Sequence, residues 1–209
     1  MDIPIGRDQI FGLLVGTSFA AGLNVYATVA TLGLLGRYEV FALPAGLHML
    51  QDWWVIGVCA VLFAVEFIAD KIPAFDLIWN ALHTFVRIPV AALIAYAATS
   101  QMSPASQMMA TVLGGSIAFA AHGGKTAIRA GVTPSPEPVS NSLLSLGEDA
   151  LAIFLTWFAT EHPYITAALV VILLILLVLI VRLVIRALKS LFRGAKREVS
   201  ELSSGVSHT

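Results

Sequence analysis

The sequence predicts an all-α integral membrane protein of about six transmembrane or re-entrant helices. Three observations carry that expectation. The chain is 58% hydrophobic and only 12% charged, whereas a soluble domain is about 45–50% apolar and about 25% charged. Six apolar runs recur along it, each close to the roughly 20 residues that a spanning helix needs. Half of the basic residues (Arg182, Arg186, Lys189, Arg193, Lys196 and Arg197) cluster at the end of the last run and just beyond it, where a juxtamembrane cluster meets anionic lipid.

The first run, Ile10–Gly36, follows MDIPIGRDQ. Two acids, one arginine and the length of the run are unlike a cleaved signal, whose apolar part is about 7–15 residues, so a retained membrane segment is expected. The second and third runs are Trp53–Ile72 and Phe75–Ala98, with LPAG at 43–46 before them and Pro73 between them. The fourth, Ala105–Ala130, follows SQMSP at 100–104, and the fifth, Ser142–Thr160, follows TPSPEP at 133–138. Proline and small polar residues of this kind end helices. GED at 147–149 interrupts the fifth run, which is expected either to span or to re-enter. The sixth, Tyr164–Leu188, begins after Pro163.

Residues 1–193 read as one polytopic domain, with halves at about 8–100 and 105–193, and 194–209 as a polar tail without order. The positive-inside rule puts the C-terminus in the cytoplasm, and six crossings bring the N-terminus to the same side. Lys71, Lys125 and Arg129 agree with that orientation, and Arg37 violates it. GTSFAAGLNVYATVATLG (16–33) aligns without gaps to GGSIAFAAHGGKTAIRAG (114–131), with Asn24 opposite His122. Three segments per half would give the halves opposite orientation, a 3+3 inverted repeat of the kind many transporters use.

Residues three, four or seven apart share a helix face. Glu66 and Asp70 therefore share one. Asp76, Asn80, His83 and Arg87 form a stripe on the third segment, and His122, Lys125 and Arg129 form one on the fourth. Glu148 and Asp149 add acids to the fifth. A charge at mid-bilayer costs about 2.5–3.5 kcal/mol on insertion scales, so these faces are expected to point at one another or at water. One reading is a site. Glu66, Asp70, Glu148, Asp149 and His83 would handle a proton or coupling ion, and Asn24, Asn80, Arg87, His122, Lys125 and Arg129 would meet an anionic substrate. The competing reading is structural: Glu66 or Asp70 paired with Lys125 or Arg129 would hold helices together, and Asn24 would bond a neighbouring helix.

Other chemistry is excluded or weak. Cys59 is the single cysteine, which rules out an intrachain disulfide and a cysteine-based zinc site. GGKT at 123–126 is no phosphate loop, because Phe119 stands where its first glycine belongs. The histidines lack metal-ligand spacing, no nucleophile elbow is present, and the basic tail lacks the aromatics of a nucleic-acid surface. No enzyme activity, cofactor, metal or nucleic-acid partner is expected. Paired glycines at 114–115 and 123–124 are expected to let helices approach closely.

GLNVYATVATLGLLGR, EFIADKIPAFD, HTFVRIPVAALIA, AHGGKTAIRA and SPEPVSNSLLSLGED follow one another between Gly22 and Asp149. In these pieces the chain resembles the bacterial membrane family known as domain of unknown function 4126. The resemblance implies a single unit in the bacterial inner membrane whose signature residues include the polar stripes. It implies no substrate. The leading expectation is a transporter, proton-coupled and handling an anionic small molecule or phosphate-bearing lipid. The alternatives are an ion channel lined by helices two to five, and a non-transporting scaffold or stress factor held by salt bridges. Membrane lipids, protons or small ions and further copies of the chain are the expected partners.

Overall fold

The computed structural model describes residues 6–70, 73–132 and 138–206, and every regular element among them is helical. The α-helices are α1 (Arg7–Leu23), α2 (Val25–Arg37), α3 (Trp53–Ala69), α4 (Pro73–Ala98), α5 (Pro104–Val132), α6 (Pro138–Glu161) and α7 (Pro163–Val206). A short 3-10 helix, Ala45–Gln51, lies between α2 and α3. Helices α4 to α7 each begin on a proline. Proline's fixed φ suits the first helical position, and its missing N–H would have had no partner there. The breakers that mark the joins in sequence are thus the first residues of the next helices.

Among the described residues three helical stretches are long and apolar enough to cross a membrane: Ala81–Ala98, Ser142–Glu161 and Pro163–Ala187. A fourth is added if the 3-10 helix and α3, bent by 67° at their junction, count as one span. The remaining expected segments depart from the simple picture. The first apolar run is two helices, broken at Asn24. Serine, glutamine, glycine and histidine along α5 dilute its apolar character. The fifth run is one continuous helix straight through GED. The aligned stretches 16–33 and 114–131 also differ in backbone, since α5 runs unbroken through His122 whereas its counterpart breaks at Asn24.

Helix α1 is the centre of the bundle, packed against α4, α5, α6 and α7. Leu13, Leu14, Phe19, Ala20, Ala21 and Leu23 are all buried. Small residues allow the close approach. An added Cβ at Gly22 would lie 2.6 Å from the Ala118 carbonyl oxygen and 2.7 Å from the Ala121 Cβ. At Gly114 it would lie 2.7 Å from the Ala95 Cβ, and at Gly124 it would strike Leu177. At Gly115 it would make ordinary contacts, and at Gly123 it would meet nothing within 4 Å. Only part of the paired-glycine expectation therefore holds. Gly22→Ala is expected to cost about 1–3 kcal/mol through overpacking. Gly123→Ala is expected to be neutral or to stabilise by up to about 1 kcal/mol through helix propensity. Thermal midpoints of the purified variants compare the two.

Helix α7 continues to Val206, so residues 194–206 are helical where the composition predicts a tail without order. Lysine, arginine, glutamate, leucine and alanine are good helix formers, and the preceding apolar turns nucleate the extension. At 1.5 Å per residue α7 is about 66 Å long. Arg37 at the end of α2 lies 4.8 Å from the Trp53 ring centre, a cation–π contact.

Candidate functional site

The site forms where α1 stops. Asn24 has extended backbone (φ −148°, ψ 104°) and caps α2, its side-chain oxygen accepting from the Ala27 N–H at 2.9 Å. Asparagine is among the best N-caps because its short side chain reaches an otherwise unbonded N–H. Two partners come from distant helices. The Lys125 ammonium donates to the Leu23 carbonyl at 3.2 Å, placing a cation at the negative end of α1. The Asn24 side-chain N–H donates to Asp149 Oδ1 at 2.8 Å. Asn24 is wholly buried and Asp149 nearly so. A break inside a bundle leaves backbone groups without helical partners, and here Lys125 and Asn24 itself satisfy part of that need.

Around this break the polar stripes converge. Arg87 of α4 forms an ion pair with Glu66 of α3. Lys125 of α5 lies 3.0 Å from Glu148 of α6, 3.7 Å from Asp70 and 3.8 Å from Glu66. Arg129 lies 2.7 Å from Glu148 and 2.8 Å from Asp70. Helical spacing explains the order: Glu66 and Asp70 are one turn apart, as are Lys125 and Arg129, so two acids meet two bases in register. The side chains of Glu66, Arg87 and Lys125 are fully buried, whereas that of Glu148 is 13% exposed. Ser145, one turn before Glu148 and Asp149, donates to Asp70 Oδ2 at 3.0 Å.

The histidines stand on the α4 side. His122 Nδ1 lies 3.1 Å from Arg87 Nη1, and its Nε2 lies 2.7 Å from the Thr84 hydroxyl. A guanidinium only donates, so Nδ1 accepts and His122 is neutral, with the proton on Nε2. His83 Nδ1 lies 2.7 Å from the Trp79 carbonyl, so it donates there, and Nε2 accepts from the Tyr26 hydroxyl at 2.9 Å. His83, grouped by sequence with the acids, is thus bonded to an aromatic residue and a backbone carbonyl. Asn80 and Asp76 lie on α4 with side chains outside the described set, and Lys71 lies outside the described residues. Among the described residues no group of three or more His, Cys, Asp or Glu is placed to hold a metal ion.

Sequence reasoning missed Ser145, Thr84, Tyr26 and the Leu23 carbonyl. Ser145 and Thr84 had a signal, since each is one turn from a charged residue on the same face. The carbonyl had none, because it becomes available only through the break.

Among the described side chains the cluster holds four carboxylates (Glu66, Asp70, Glu148, Asp149) and three basic groups (Arg87, Lys125, Arg129). Each cation contacts at least one carboxylate, while the hydrogen bond that Asp149 receives comes from a neutral amide. Glu66 Oε2 and Asp149 Oδ2 are buried and accept no hydrogen bond among the described residues. Among the described side chains carboxylates outnumber basic groups by one, which leaves room in the cluster for one proton or one monovalent cation.

A family model described as Domain of unknown function (DUF4126) matches residues 11–183. No curated protein and no solved structure matches the chain.

Proposed function

Because the chain belongs to that family, whose description assigns no activity, we propose a function from the geometry: a multi-pass inner-membrane transporter with an occluded, proton-coupled charged site. The observation that carries this reading is the helix break at Asn24, whose two sides touch Lys125 and Asp149. Discontinuous helices that present their ends to buried charges are how many secondary transporters build substrate and ion sites. Irregular backbone at membrane depth is tolerated only where protein or a cavity surrounds it.

The charge imbalance supports the coupling. Asp149 takes the proton that the four-to-three ratio leaves room for, and the network around Lys125 and Arg129 is what an anionic substrate rearranges. The apolar lengths of α4, α6 and α7 and the basic residues in the second half of α7 support the membrane setting. Counting α1 and α2 as one broken crossing keeps both termini on the cytoplasmic side.

A second reading has its own observation. Every base in the cluster is already paired, as expected of a scaffold whose charges only hold helices together. Proteoliposomes separate the two. Under an inward proton gradient, uptake from a mixture of small anions, measured by mass spectrometry, is expected above that of empty vesicles. It is expected to fall at least about tenfold in Asp149→Asn, the scale of one lost charge-assisted bond. Uptake no greater than in empty vesicles, or unchanged by Asp149→Asn, sinks the transport reading in favour of the scaffold. Discrete single-channel currents in a planar bilayer point to the channel instead.

A further inference from the structure

One wall of the charge cluster opens onto an apolar groove. A cavity of about 330 Å³ lies between α1, α5, α6 and α7, lined by Phe19, Leu144, Leu151, Leu173 and Leu177, with Lys125 and Glu148 also in its wall. Helices α5 and α6 make little direct contact, so α7 lies across the gap between them. Glu148 is the most exposed of the ion-paired residues, and its Oε2 bridges Lys125 at 3.0 Å and Arg129 at 2.7 Å. A single acceptor oxygen held between two cations, in the wall of an apolar groove, is the arrangement a phosphodiester oxygen would occupy if its acyl chain lay in the groove.

We propose that the α5–α6–α7 groove binds one anionic phospholipid from the bilayer, and that Glu148 is the tethered stand-in its phosphate displaces from Lys125 and Arg129. The proposal rests on the membrane setting of the transport reading, but not on transport itself. Three features favour this occupant. The lining is apolar apart from Lys125 and Glu148, matching an acyl chain beside one anionic group. The two cations are already paired in anion-accepting geometry, so the headgroup exchanges one oxyanion for another rather than desolvating bare charges. Glu148 adjoins Gly147, where an added Cβ would meet nothing within 4 Å, so the groove side of α6 has free space beside the displaced carboxylate.

The test uses the purified full chain and three probes: phosphatidylglycerol, diacylglycerol with the same chains, and glycerol phosphate. Phosphatidylglycerol is expected to bind at least about tenfold more tightly than either probe, since one charge-assisted hydrogen bond is worth that factor or more. Glu148→Gln removes the competing anion and is expected to tighten phosphatidylglycerol about tenfold on the same scale, with diacylglycerol unaffected. Gly147→Leu adds bulk at a position whose Cβ would meet nothing within 4 Å and is expected to weaken both lipids.

Equal binding of diacylglycerol reduces the groove to an acyl-chain contact and overturns the proposal. Equal binding of glycerol phosphate makes it a free-anion site and also overturns it. Unchanged or weaker phosphatidylglycerol binding in Glu148→Gln removes the stand-in role, and unchanged binding in Gly147→Leu places the lipid elsewhere. Lipid binding with the expected pattern in a protein that takes up no solute sinks transport alone. Uptake without that pattern sinks the groove alone.

Discussion

Replacing Arg87 with methionine is expected to destabilise the protein by about 3–5 kcal/mol, the cost of stranding a buried charge. Arg87 and Glu66 are both fully buried and paired, and Glu66 Oε2 already lacks a hydrogen-bond partner among the described residues. Removing the guanidinium leaves the Glu66 carboxylate with Lys125, 3.8 Å away, as the nearest described cation. The same change removes the donor to His122 Nδ1. The double variant Glu66→Gln/Arg87→Met replaces the stranded charge with a neutral group and is expected to recover more than half of the loss. Chemical denaturation of wild type, both single variants and the double variant completes a double-mutant cycle. Additive losses would show that the two residues do not act as a pair.

Lys125→Met is expected to have an effect of similar size and to change the pH dependence of stability. Lys125 lies within 4 Å of three carboxylates and bonds the last carbonyl of α1. Without it, four carboxylates, three of them buried, share two basic partners among the described side chains. Folding then requires extra protons on the cluster, so the native state of the variant binds more protons than its unfolded state. Stability must fall as pH rises under that inequality. The variant is expected to regain part of its thermal midpoint on acidification from pH 8 toward pH 6, relative to wild type over the same window. A variant whose deficit stays constant across those conditions would mean that Lys125 contributes packing and no charge compensation.

These expectations also bear on the two functional readings. A scaffold and a transporter both lose stability when the network is cut. Only a transporter has Asp149, bonded by a neutral amide beside a helix break, as a residue whose neutralisation leaves the fold intact and removes uptake. Asp149→Asn keeps the shape and an acceptor for Asn24, so it separates charge from packing more cleanly than any change at Arg87 or Lys125.

Composition and the six apolar runs determined an all-helical chain with several helices long enough to cross a membrane, because helix length and apolar content are local properties. Periodicity determined which polar residues share a face: Glu66 with Asp70, His83 with Arg87, and His122 with Lys125 and Arg129. What those faces meet was decided by packing alone. Asn24 and Asp149 are 125 residues apart, and nothing in either neighbourhood names the other. The break at Asn24 was hidden inside a continuous apolar run, where the residue reads equally well as a lone interhelical hydrogen bonder. Tertiary structure decided it, because a helix can stop in a bundle interior only if side chains from elsewhere accept its loose ends. Here an ammonium from α5 and a carboxylate from α6 arrive at the one point where α1 releases its last carbonyl.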